Sequence, residues 1–116
     1  MNVVLLQGSL SSVPVARVLP SGDQLVAYEV TTRGDAATAD SVPVVWLEAP
    51  ARAADMATGT EVLVSGRVRR RFYRVNGTTA SRTEVVANAV IPMTQRRRVA
   101  KLLDAAIATL AEHEAA

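Results

Sequence analysis

The chain has no cysteine, a single histidine and only four aromatic residues among its 116 positions. Without cysteine there is neither a disulfide framework nor a thiolate metal site, and a cytoplasmic setting is the default expectation. His113 alone cannot assemble a zinc site, so no metal and no cofactor are expected. No stretch approaches the roughly 20 apolar residues of a membrane span, and Met1 to Leu10 carries no basic leader, so neither insertion nor secretion is expected. His113 and Lys101 are the sole residues of their kinds and sit in no nucleophile–base pattern. The acids are scattered, and no phosphate-cradling or dinucleotide glycine motif is present, so the protein is expected not to be an enzyme.

What the chain does carry is positive charge, unevenly spread. The net charge is only +2, yet residues 1–64 hold three arginines against seven acids, while residues 65–101 hold nine arginines and Lys101 against Glu84 alone. Residues 102–116 add Asp104, Glu112 and Glu114 and no base. A local excess of this size on one small domain is the footprint of a phosphate-bearing partner, and arginine suits it through bidentate contacts and stacking. Solvated charge serving solubility is the competing explanation.

Hydrophobic periodicity gives the element order β-β-β-α-β-β-α. Asn2 to Val13 is β-prone and broken by Gly8, the mark of a bulge or bend, and the strand is read on through Leu19 to a turn at Pro20-Ser21-Gly22. Residues 24–33 alternate with period two, which predicts the second strand. Gly34 to Ser41 is small and polar and predicts a mobile hairpin tip; Val42 to Leu47 predicts a third strand. Ala49 to Ala57, with Pro50 near its start and Gly59 after it, predicts a short helix. Thr60 to Val75 predicts a fourth strand, apolar on one side and basic on the other at Arg67, Arg69 and Arg71. Asn76-Gly77 signals a hairpin, read as a longer loop through Thr78-Thr79-Ala80, before a fifth strand at Arg82 to Ile91. Val99, Leu102, Leu103, Ala106, Ile107 and Leu110 then fall on one helical stripe, predicting a helix from Gln95 to Glu114 that packs on the domain or self-associates.

Five strands with a helix between the third and fourth is the order of the OB-fold, a mainly β barrel that often binds single strands across one face. Asn2-Val3-Val4-Leu5-Leu6-Gln7-Gly8-Ser9-Leu10, then Pro14, Arg17 and Pro20-Ser21-Gly22, resemble the opening of the bacterial single-stranded DNA-binding proteins. Gly59 to Arg69 resembles that family's fourth strand, and Thr83-Glu84-Val85-Val86-Ala87 its fifth. The resemblance spans about residues 2–91. It implies an OB-fold DNA-binding domain over residues 1–92, with an appended amphipathic helix over 93–116.

The resemblance further implies single-stranded DNA binding in replication, repair or recombination, by a nucleoid-associated protein that forms a homodimer or homotetramer. Tyr73 falls where the family stacks an aromatic on bases. Tyr28 falls on a position that is usually core, and Trp46 is open between stacking and core. Where the family often has a tryptophan after its second strand, this chain has Ala36. With so few rings, charge must dominate: Arg67, Arg69, Arg71 and Arg74 are expected to track phosphates, with Arg17, Arg33 and Arg82 nearby and Arg70 on the opposite side of the strand. Arg96, Arg97, Arg98 and Lys101 open a helix whose dipole they do not complement, which an acidic or phosphate partner would relieve. RNA fits the same chemistry. The chain ends at Glu112-His113-Glu114-Ala115-Ala116 without the long acidic-tipped tail of many family members. The alternative reading is therefore an OB-fold protein-interaction module of primosomal type that touches nucleic acid weakly and binds a replication or repair protein.

Overall fold

The computed structural model describes residues 1–34 and 38–115, Ala115 by its backbone alone. Part of the expected polar hairpin tip, including Ala36, lies outside the described residues. Six strands run β1 (Val4–Leu10), β2 (Val15–Val18), β3 (Gln24–Arg33), β4 (Ala39–Trp46), β5 (Glu61–Val75) and β6 (Thr78–Pro92), followed by helix α1 (Arg96–Ala115). The sheet order is β1-β5-β6-β4-β3-β2, and a further β1–β3 pairing, Ser9↔Thr31 and Leu10↔Val30, closes it into a barrel. All pairings are antiparallel except β4–β6. With β1 and β2 counted as halves of one broken strand, this is the five-stranded OB-fold.

The break is the first departure from the sequence reading. Pro14 offers no amide, and the chain bends between Leu10 and Val15 so that β1 pairs with β5 while β2 pairs with the start of β3. The second departure is the predicted helix at Ala49–Ala57, which is only a 3₁₀ turn at Ala51–Ala54. In an α-helix the Ala53 carbonyl would accept from Ala57; here it accepts the buried Tyr28 hydroxyl at 2.7 Å, and the turn ends at Asp55. The third is the hairpin after β5. Asn76 (φ 51°) and Gly77 (φ 77°) form a two-residue turn, Val75 pairs with Thr78, and β6 begins four residues earlier than the apolar pattern indicates. Polar residues also extend β4 back to Ala39, held by its pairing with β3.

The core is built of small β-branched side chains rather than rings. Val26, Val30, Val44, Val62 and Val64 are fully buried, with Leu10, Tyr28, Val85, Ala87 and Val90 around them. A second cluster on the outside of the barrel joins Leu63 and Ile91 to Val99 and Leu102 of α1. Two glycines allow the strands to close. A Cβ on Gly8 would run into the Thr31 carbonyl where β1 meets β3, and one on Gly66 would run into the Val86 carbonyl and lie 2.9 Å from the Ala87 Cα. Gly66 marks a β-bulge: Ser65 pairs with Ala89 and Gly66 with Ala87, leaving Asn88 as the extra residue.

Gly66→Ala is expected to destabilise the protein by about 1–3 kcal/mol in urea unfolding, because the obstructing atoms are backbone. Gly34→Ala, where a Cβ meets nothing within 4 Å among the described residues, is expected to leave the midpoint unchanged or slightly raised.

Candidate nucleic-acid interface

Beyond the bulge, β5 and β6 leave the barrel together. The last β1–β5 pair is Val4↔Gly66, and the Asn2 side chain continues it, donating to the Val68 carbonyl at 2.7 Å and accepting from the Val68 amide at 2.9 Å. The parallel β4–β6 pairing starts only at Val44↔Val85. From Val68↔Val85 to Val75↔Thr78 the two strands therefore form a free hairpin arm.

Residues directly opposite in an antiparallel pair share a face, so Arg69, Arg71 and Tyr73 lie with Glu84, Arg82 and Ala80. This face continues the outer surface of the barrel, since Val85 and Ala87 point into the core. It meets the outer faces of β2, β3 and β4 across an open groove lined by Val15, Arg17, Leu25, Ala27, Val45, Arg69, Arg71, Arg82 and Glu84.

Glu84 organises the basic side of that groove. Its carboxylate is fully buried and accepts from Arg71 Nε at 3.0 Å and from Arg69 Nη2 at 3.1 Å, with Arg82 Nε 3.6 Å away. Arg82 also pairs with Glu29 at 3.6 Å, and Ser41 donates to the other Glu29 oxygen at 3.1 Å. Burial raises the Glu84 pKa, but the hydrogen bonds and charges of Arg71 and Arg69 outweigh it and hold the group below 4.5. The three guanidinium side chains keep 33–47% of their surface exposed, so they remain accessible to an anion. Arg69 Nε is a buried donor with no partner among the described residues.

The sequence-predicted residues divide by place. Arg17, Arg69, Arg71 and Arg82 meet in the groove, and Tyr73, 40% exposed, stands beyond them with the Arg71 guanidinium 5.5 Å from its ring centre. Arg67 lies on the outer face beside α1, bordering a depression with Leu102, Ala105 and Thr109. Arg33 sits at the barrel flank with Gln7, Ser9 and Glu61. Arg74 is paired across from Thr79, on the opposite face from Tyr73, and donates to the Gly77 carbonyl at the tip at 2.8 Å. Trp46 is not brought to the groove: it packs against the barrel core and lines a separate hollow with Pro50, Ala53, Met56 and Val90.

Three features of the groove and the arm escaped the sequence reading. Glu84 reads as the lone acid of a basic segment rather than as the clamp of its arginines. Phe72 falls on the apolar side of the fourth strand in the sequence pattern, yet it is 66% exposed on the second face of the arm, where Arg70 lies 5.2 Å from its ring centre and donates to Ser81 Oγ. The available signal was length, since a 15-residue strand outruns a small barrel. Glu29, finally, reads as one position of an alternating strand and instead anchors Arg82.

A closed OB barrel with a basic outer groove, walled by a hairpin arm carrying exposed rings, defines an oligonucleotide-binding type of protein. The chain belongs to the Single-strand binding protein family, which matches residues 1–93. Among solved structures, the Plasmodium falciparum SSB complex with ssDNA is similar in fold, with a TM-score of 0.65 and 19% sequence identity, covering 79% of this chain and 94% of that one. No curated protein matches the sequence.

Glu84 gives the fold a pH dependence whose sign follows from its lowered pKa. Its stabilisation is complete above 4.5 and is lost as pH falls through the lower folded value. Glu84→Gln is expected to cost about 1–3 kcal/mol at neutral pH and to flatten this acid limb. Urea midpoints measured from neutral to acidic pH test both effects; an acid limb identical to that of the unsubstituted protein would refute the assignment.

Proposed function

We propose that the protein binds single-stranded DNA along the outer groove of the barrel and onto the hairpin arm, as a non-catalytic member of its family. The observation that carries this reading is the cluster of Arg69, Arg71 and Arg82, fixed around one buried carboxylate and open to the groove. Fixed guanidinium groups lose little freedom on meeting phosphates, and each phosphate neutralised releases counterions. Arg17 faces them from β2, and the apolar surface of Leu25, Ala27 and Val45 between the two walls accepts the flat faces of bases. Tyr73 stacks a base at the distal end. Phe72 and Arg70 extend the surface to the other face of the arm, with Arg74 at its tip, while Arg33 and Arg67 mark outlying phosphate contacts.

Residues 1–92 form the binding unit in this reading, and 93–116 the appended helix. Among the described residues no helix is long and apolar enough to cross a membrane. The protein acts on DNA in the cytoplasmic nucleoid, during replication, repair or recombination, as a homodimer or homotetramer. Family membership and the organised groove favour DNA over the protein-interaction alternative.

Titration of a fluorescent oligo-dT of about 35 nucleotides at two salt concentrations, beside duplex DNA and the same-length RNA, tests the proposal. Single strands are expected to win over duplex, with affinity falling steeply with salt. Arg71→Ala is expected to reduce the log–log salt slope by about 0.7, and Tyr73→Ala to cost about 1–3 kcal/mol. Equal affinity for duplex, or a salt slope unmoved by Arg71→Ala, would refute it. Trp46 supplies an independent check: lying away from the groove, its fluorescence is expected to survive saturation with oligo-dT rather than being quenched by stacking.

A further inference from the structure

Helix α1 buries only part of its apolar stripe. Val99 and Ala106 are buried and Leu102 is half-buried, whereas Leu103, Ile107 and Leu110 are 37%, 62% and 41% exposed. The exposed residues belong to two columns with a seven-residue repeat, Arg96-Leu103-Leu110 and Ala100-Ile107-Glu114, all six of them exposed and adjacent on one side of the helix. Each column is the complement of the other read backwards. With two copies of α1 antiparallel about an axis near residue 105, Leu103 meets Ile107 of the second copy, Ala100 meets Leu110, and Arg96 meets Glu114. Every layer is then either apolar against apolar or cation against anion.

We infer that this face of α1 is a self-association surface, on which a second copy of the chain packs antiparallel. The charge pattern selects both occupant and direction. The helix opens with Arg96, Arg97, Arg98 and Lys101 and closes with Glu112 and Glu114, so its own reversed copy is complementary to it, whereas parallel packing sets like charges side by side at both ends. The isologous geometry forms each contact twice, so a short stripe gains doubly from each pair. It also adjoins the cis contact of Val99 and Leu102 with Leu63 and Ile91, which places the helix against the barrel before association. The inference specifies one interface of the self-association proposed above and is independent of what the groove binds.

Sedimentation equilibrium of the full chain measures it. Ile107→Lys is expected to weaken association by about 30-fold or more, as the loss of a central anchor does. Arg96→Glu and Glu114→Arg are each expected to weaken it by about tenfold, and the two together in one chain to restore it, since the pair is re-formed with its charges exchanged. Because the residues are exposed, unchanged circular dichroism, with thermal midpoints compared at a dilution where the unsubstituted chain is itself dissociated, verifies that each variant is folded. A monomer at tens of micromolar, an assembly indifferent to Ile107→Lys, or a double variant no better than its singles would each overturn the inference. The second of these would leave assembly through the barrel standing, and none depends on DNA binding.

Discussion

A buried carboxylate surrounded by three guanidinium groups is the constraint on which the basic groove and its hairpin arm depend. Arg71 and Arg82 are directly opposite one another on β5 and β6, with Arg69 one face-position away, and such a set repels itself wherever it is desolvated. Glu84 makes the arrangement tenable, and the arginines in turn make it tenable to bury Glu84. The reciprocity also fixes geometry. Three long side chains that would sweep freely on a bare strand are held at one end by the carboxylate, while their exposed surfaces still face the groove. Glu29 plays the lesser part, drawing Arg82 toward β3 and thereby linking the arm to the barrel wall.

The arm exists because two devices terminate the barrel cleanly. At Gly66 the opposing backbone comes too close for any side chain, and the bulge at Asn88 re-phases β6 so that Glu84 and Arg82 turn outward while Val85 and Ala87 stay inside. Beyond Val68 and Val85, among the described residues, the two strands pair along their backbones only with each other, and their side chains are released from packing the core. Both faces consequently carry an arginine laid near a ring, Arg71 with Tyr73 and Arg70 with Phe72.

Most of the fold is legible in the sequence, because Val26, Tyr28 and Val30, or Val62 and Val64, alternate with outward residues and announce their strands unaided. What escapes it is decided by contacts distant in sequence. The Ala51–Ala54 turn within Ala49–Ala57 is tied by its Ala53 carbonyl to the hydroxyl of Tyr28, on a strand far off in sequence, and whether Thr78-Thr79-Ala80 is loop or strand depends on β5 lying alongside. The site divides in the same way. Arg69, Arg71 and Tyr73 follow from the period of one strand, whereas Arg17 and Arg82 become neighbours only when the barrel closes. The side-chain direction of Trp46 depends on its pairing with Val26 and Ala87, both core positions. Charge alone groups Arg74 with Arg69 and Arg71, although the parity of the strand already places it with Arg70.

Asn2 braces the root of the arm with a pair of hydrogen bonds to one residue, Val68. From that root to the turn at Asn76-Gly77 the arm is about 23 Å long at the usual rise per residue of a strand. It is therefore a lever with its fulcrum at the N-terminus: a tilt of about 10° carries the tip through about 4 Å, close to the spacing between neighbouring strands. A single amide side chain near the start of the chain thus sits at the pivot about which the tip of the arm is displaced relative to the barrel.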